Sequence, residues 1–224
     1  MAKKTVNTKT EAPEPQAEFP KSLKQFKPAP YFQSTAESLA KDQIVTIDKL
    51  FSSKFCRELI GVFGSFDLVT AYIQKRNYYA PRYNDRIMLS DRQTADSLWV
   101  HLKSVLLEAQ DPWIRNEFSN AIGLNPDFRI YRYKKGHYFE DHYDESVKVG
   151  TNFTKWTVLI YLTGDDEFKG GETKFENGVA VHPSKGMCLL HKHGDYCLMH
   201  RSELVTAGEK WVLRTDVVFQ PRPK

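Results

Sequence analysis

Cysteine is scarce: Cys56, Cys188 and Cys197 are the only three in 224 residues, and none forms a CxxC or CxxxC pair. That excludes a disulfide framework and a cysteine zinc finger, and it leads us to expect an intracellular home, cytoplasmic or nuclear. Long apolar runs are missing as well. The longest, Val158 to Leu162, has five residues, against the roughly 20 that a spanning helix needs. No apolar stretch follows the basic start Met1-Ala-Lys-Lys, so neither an export signal nor a membrane partner is expected. One-signed charge is also lacking: 32 basic against 28 acidic residues leave a net charge of +4. Without a clustered basic surface or a basic, aromatic stripe, nucleic acid is not the expected partner.

What is present suits a globular domain. Apolar residues make up 41% and charged residues 27%, and a chain this long buries enough surface to need no staples. Residues 1–30 differ from the rest, holding six lysines, three glutamates and five prolines. We read them as a disordered tail. Residues 31–224 form a single domain, with helical support over 50–125 and a strand-rich catalytic part over 126–224. Gln43–Asp48 alternates as a first strand. Ser52 or Ser53 opens a helix with Phe55, Leu59, Ile60 and Phe63 on one face, stopped at Gly64. Asp91 caps a second helix, and a third runs from Trp113 to Gly123. Tyr72–Asp85 reads as partly loop. After Asn125-Pro126 come short strands at Phe128–Tyr133, Trp156–Leu162, Thr173–Phe175, Val179–His182, Gly186–His191 and Lys210–Phe219. Helices followed by strands, without βαβ alternation, indicate an antiparallel sandwich or barrel backed by helices.

Ligand-type residues are densest between Tyr133 and Asp144. On a strand, positions i and i+2 share a face, so His142 and Asp144 converge. One imidazole and one carboxylate are two thirds of the facial triad that holds non-heme Fe(II) with open positions. A further histidine must come from His182, His191, His193 or His200.

These residues belong to a longer ordered pattern: Tyr133-Lys-Lys-Gly136, His142-Tyr-Asp144, Thr157-Val-Leu-Ile-Tyr161-Leu162, Gly170-Gly-Glu-Thr-Lys-Phe175, Pro183-Ser-Lys-Gly186, and His200 followed ten residues later by Lys210-Trp211. It resembles the 2-oxoglutarate and Fe(II)-dependent dioxygenases of the prolyl 4-hydroxylase type. The resemblance implies a mainly β fold with flanking helices: a double-stranded β-helix (jelly-roll) core with helices packed on the major sheet. It implies His142, Asp144 and His200 as iron ligands and Lys210 as partner of the 2-oxoglutarate C5 carboxylate. Tyr161 and Tyr133 become hydroxyl donors to the cosubstrate, and ascorbate becomes a stimulant. Phe139 stands where the family often has tyrosine, and Leu204-Val205 where it has Pro-Val. Arg214 shares a strand face with Lys210. It reads either as a second anion anchor, even displacing Lys210 at C5, or as an ion-pair partner of Asp216 or Asp144.

The implied activity is an oxidoreductase hydroxylating a C–H bond with release of succinate and CO2, acting on a protein or peptide side chain, proline first. The alternative substrate is a free amino acid or small metabolite. Outside this class, the same ligands suit a zinc hydrolase, and a non-catalytic binding module is the third reading. Other residues take plainer roles. His191 and His193 are expected on a loop beside the site, Cys188 inside a strand, Glu172 in a turn, and Lys134 and Lys135 in solvent. Tyr72, Tyr78, Tyr79 and Tyr83 form either a lid or core packing.

Overall fold

The structure, a computed structural model, describes residues 17–28, 32–74 and 80–221. The three longest helices each start where a side chain satisfies free N–H groups. Ser52 Oγ accepts from Phe55 N ahead of Ser53–Phe63, and Asp91 accepts from Thr94 N ahead of Arg92–Leu107. Asp111 accepts from Trp113 N ahead of Pro112–Phe118. No helix among the described residues is long and apolar enough to cross a membrane.

The strands form one large antiparallel sheet that curls over on itself, plus a two-stranded piece, Phe168–Gly170 with Val205–Gly208. At its centre Lys210–Phe219 lies between Asn152–Tyr161 and Asp127–Tyr133. Arg82–Ser90 then bridges Asp127–Tyr133 to Tyr138–His142, which pairs with His200–Ser202 and, beyond it, Thr173–Phe175. The central strand is buried almost throughout, and its alternation splits its side chains between two cores. Trp211, Leu213 and Val217 face the helices with Leu59, Leu98, Leu102 and Phe118. Val212 points into the curl with Tyr131, Tyr133, Tyr161 and Phe175. Lys210 and Arg214 share the face of Val212, so two charged groups enter an apolar interior.

Two local expectations are corrected. Residues 1–16 lie outside the described residues, but the segment assigned to the tail is anchored from Phe19 onward. Phe19 meets the rings of Phe63 and Phe128 at 6.0 and 5.2 Å, Leu23 is fully buried, and Phe26 stacks on Phe55. Three large apolar side chains recover enough buried surface to order a segment whose average composition is polar. The third helix ends at Phe118, and Ala121–Leu124 becomes a strand because it pairs with Val217–Phe219, burying Ala121 and Leu124. Tyr72–Asp85 is partly strand at its two ends, where Val69–Ile73 pairs with Arg82–Ser90, and residues 75–79 between them lie outside the described residues.

The turn before the strand Cys188–Lys192 carries one glycine requirement. Gly186 has φ +86°, its carbonyl accepts from Leu50 N and Phe51 N, and a Cβ there would collide with the Phe51 carbonyl. Gly186→Ala therefore combines backbone strain with overpacking. We expect a loss on the order of 3 kcal/mol in urea unfolding; an unchanged midpoint would contradict the packing described.

Candidate metal centre

Strand pairing builds the site. His142 ends the strand Tyr138–His142, His200 begins His200–Ser202, and the antiparallel register sets the two directly opposite, with ring centroids 4.3 Å apart. Each imidazole is fixed from behind. His142 Nδ1 lies 2.8 Å from the Glu140 carbonyl and His200 Nδ1 2.9 Å from that of Leu198. A carbonyl only accepts, so both Nδ1 atoms carry the proton and both Nε2 lone pairs face inward. Phe139 stacks on His142 at 3.6 Å.

Asp144 supplies the negative charge. Its Oδ1 is 3.8 Å from His142 Nε2 and its Oδ2 3.7 Å from His200 Nε2. The ligand atoms of all three residues lie within 4.8 Å of one another. These distances are too long for hydrogen bonds, and unprotonated nitrogens aimed at a carboxylate need a cation between them. Two neutral imidazoles and a carboxylate are the donor set of a facial triad, so the residues fit Fe(II).

His191 was expected on a loop. It lies instead on the strand Cys188–Lys192, 1% exposed, on the same inward face as Leu189. Its Nε2 has no hydrogen-bond partner and sits 3.5 Å from Asp144 Oδ2, and its ring is 4.3 Å from that of His200. Three imidazoles therefore surround one carboxylate. The strand expected over Gly186–His191 already contains His191, and the i, i+2 spacing from Leu189 gives its inward face. His193 lies, as expected, in the loop after that strand beside the site, and it is buried there. Its Nε2 is 2.8 Å from Thr154 Oγ1 and its Nδ1 2.9 Å from Thr157 Oγ1, while Thr157 donates to Asp144 Oδ2 at 2.8 Å. This chain steadies the carboxylate from behind.

Arg214 takes the ion-pair alternative: its guanidinium lies 3.0 Å from Asp144 Oδ1 and 3.6 Å from Asp216 Oδ1. Burial alone would push the Asp144 carboxyl up, but Arg214 first, and then the three histidines, hold it well below the usual carboxylate range. Burial, reinforced by His200, lowers His142 to about 4. The site thus sets an ionised Asp144 carboxylate beside His142 and His191, whose imidazoles burial keeps neutral.

The cavity continues past the metal donors to Lys210. Its Nζ donates to the Gly171 carbonyl at 2.7 Å and to Ser202 Oγ at 2.9 Å, and lies 5.2 and 5.5 Å from the rings of Tyr133 and Tyr161. Burial pulls its ammonium down to about 7, with only Glu172 opposing. Tyr161 shares a 2.8 Å hydrogen bond with Thr173, and burial raises the phenols of Tyr161 and Tyr133. Tyr133, Tyr161, Lys210 and Arg214 line one cavity with His142, Asp144 and His200. The structure brings every sequence-predicted site residue into this cavity. Tyr72 packs edge-on against Tyr83 at 5.2 Å, outside the cavity, whereas Tyr78 and Tyr79 lie outside the described residues.

Metal donors on the inner face of a curled β-sheet thus share one cavity with a buried cation, an arrangement suited to a divalent metal with an anionic ligand beside it. Residues 128–215 match the model of the 2OG-Fe(II) oxygenase superfamily, and the chain carries a domain of that superfamily, a 2-oxoglutarate-dependent non-heme iron dioxygenase. Among solved structures it is similar to a viral collagen prolyl hydroxylase from Paramecium Bursaria Chlorella virus-1, in complex with 2-oxoglutarate, at TM-score 0.56 and 19% identity over 79% of this chain and 96% of that one. A Pseudomonas putida prolyl-4-hydroxylase aligns at TM-score 0.54 and 15% identity, covering 80% and 92%. A Trichoplax adhaerens prolyl hydroxylase, bound to a fragment of hypoxia inducible factor, aligns at 0.53 and 16%, covering 79% and 83%. These likenesses establish the jelly-roll fold. No curated protein sequence matches the chain.

Proposed function

We propose that this protein hydroxylates a peptide or protein side chain, proline first, with Fe(II) as cofactor and 2-oxoglutarate as cosubstrate. The observation that carries the reading is the shared cavity: it is lined both by three metal donors and by a buried ammonium that, among the described residues, has no ion-paired carboxylate. Bound Fe(II) supplies the oxygen chemistry that splits 2-oxoglutarate into succinate and CO2 and delivers one oxygen atom to a C–H bond. The protein's own part is positional. His142, Asp144 and His200 hold the metal, and Arg214 and Thr157 keep the Asp144 carboxylate ionised and fixed. Lys210 pairs with the C5 carboxylate, which in an apolar interior requires a matched cation. The hydroxyls of Tyr133 and Tyr161 orient the cosubstrate, and Leu159 and Val212 in the cavity wall restrict water. The peptide preference rests on the fold shared with prolyl hydroxylases. Its test is succinate release against pools of proline-containing peptides, with mass spectrometry for one added oxygen. Turnover confined to free amino acids would transfer the reading to a small-molecule hydroxylase.

Lys210 gives this reading a pH signature. In the free protein its ammonium is pulled down to about 7 by burial, whereas the bound carboxylate demands the protonated form. Below about pH 7 the proton is already present. Above it, binding must take up a proton, so affinity for 2-oxoglutarate should fall roughly tenfold per pH unit. Calorimetry of the metal-loaded protein in buffers of different ionisation enthalpy checks this. A flat affinity from about pH 7 to pH 9 would remove Lys210 from the anion site.

A further inference from the structure

Beside the wall of this cavity stand three arginines that, among the described residues, have no ion-paired carboxylate. Along Arg82–Ser90 the side chains of Ile87 and Leu89 join the helix-side core, which turns Arg82, Arg86 and Met88 to the opposite face. On the neighbouring strand Phe128 and Ile130 face the helices, leaving Arg129, Tyr131 and Tyr133 on the cavity side. Arg86 is registered opposite Tyr131, and Arg129 is registered between Met88 and Arg214. Arg82 lies 4.8 Å over the Phe139 ring, which itself stacks on the ligand His142.

Arg132, Arg201 and Arg214 by contrast are paired with Asp85, Glu203 and Asp144. Among the described residues, Arg82, Arg86 and Arg129 have no ion-pair partner, and the buried Nε of Arg82 has no hydrogen bond. All three are half-buried. Burial first, then the neighbouring Arg86 and, further down, Arg129, depress the Arg82 guanidinium. Like charges gathered on a half-buried sheet face repel one another, an arrangement that an arriving anion relieves.

We propose that Arg86 and Arg129, with Arg82, form a subsite for acidic side chains flanking the target residue, so that the substrate is an acidic segment of a peptide or protein. This rests on the peptide reading above. Arg82 and Arg86 are four residues apart on a strand, about 13 Å, a span that suits carboxylates spaced along an extended peptide. Guanidinium groups bind carboxylates in bidentate fashion. The three arginines are half-buried beside Phe139, Tyr131 and Arg214 of the cavity wall rather than spread over an open surface, and the chain's net charge is only +4, which favours an acidic peptide over a nucleic-acid backbone.

The test uses the full chain loaded with Mn(II) and 2-oxoglutarate in the absence of turnover. Two fluorescent proline-centred peptides are compared by anisotropy: one flanked by glutamates, the other its glutamine twin. The glutamate peptide should bind at least about tenfold more tightly at low salt. Arg86→Gln and Arg129→Gln should each weaken it several-fold, and the double variant should equalise the twins. Arg86→Lys, which keeps the charge, should retain most of the preference. Calorimetric 2-oxoglutarate affinity should stay within about twofold in all four. Equal binding of the twins, or a preference that survives the double change, overturns the subsite. So does displacement of the peptide by inorganic phosphate or a short oligonucleotide at lower concentration than by the free glutamate peptide. Failure to bind Mn(II) and 2-oxoglutarate at all would instead overturn the functional reading beneath it.

Discussion

His142→Ala and His200→Ala are each expected to weaken Fe(II) binding by more than roughly a hundredfold, beyond the usual effect of altering a residue behind the ligands. Each change removes one inward lone pair from a three-donor set and leaves a methyl group that cannot coordinate. The fold should survive both. His142 stands at the end of a strand and His200 at the start of one, and the ladder joining them runs through backbone groups. Asp144→Ala is a different experiment. It strips the metal of its only anionic ligand and also leaves Arg214 buried with Asp216 as its sole remaining carboxylate. Breaking a buried pair from one side costs about 3–5 kcal/mol, so this variant should lose metal and unfold earlier. Asp144→Asn separates the two effects, because it keeps the shape and removes the charge. Calorimetric titration with Mn(II), together with thermal unfolding of each apo variant, reads both quantities. If His191→Ala abolished metal binding while His200→Ala left it intact, the donor set would be His142, Asp144 and His191.

Lys210→Met carries the second large effect. The side chain lies at the deep end of the cavity, and no carboxylate touches its ammonium among the described residues; the Gly171 carbonyl and Ser202 hydroxyl are its only hydrogen-bond partners. Without it the C5 carboxylate of 2-oxoglutarate would be desolvated and unpaired, a loss of about 3–5 kcal/mol. The apparent KM for 2-oxoglutarate should rise by roughly two to three orders of magnitude. Metal affinity should hold, because none of the three donors touches Lys210. Stability of the ligand-free protein should not fall, since an unpaired buried ammonium is itself unfavourable. Arg214→Met tests the rival anchor. Should it cripple saturation by 2-oxoglutarate while Lys210→Met does little, the C5 carboxylate binds Arg214 instead. The ion pairs of Arg214 with Asp144 and Asp216 lead us to expect the opposite, with Arg214→Met acting through the metal.

Much of this was legible from residues alone, for identifiable physical reasons. Helix caps are local chemistry, so Ser52 and Asp91 announced their helices. Strand alternation is local too, so His142 and Asp144 could be set on one face without a structure. The ordered pattern from Tyr133 to Lys210 then supplied the pairing across the curl that periodicity could not. What escaped depended on distant partners. Phe19 and Leu23 look like isolated apolar residues in a polar segment until Phe63 and Phe128 are brought beside them. Ala121–Leu124 continues a helical pattern until the last strand captures it. His191 looked like a loop residue because a polar side chain ending an apolar strand resembles a boundary; only the inward direction of its face identifies it with the metal centre. The unpaired arginines were invisible for a similar reason. Being unpaired is a property of the surroundings, and Arg86 and Arg129 become neighbours only through the register of two strands.

On this account one cavity holds Fe(II) and 2-oxoglutarate together on this donor set. Anaerobic titration of the full chain with Fe(II), followed by 2-oxoglutarate, tests it most directly. A weak visible charge-transfer band should appear only when both are present and saturate with 2-oxoglutarate. It should vanish in His200→Ala and require far more 2-oxoglutarate in Lys210→Met. No band in the presence of tightly bound Fe(II), or a band indifferent to both substitutions, would contradict the site described.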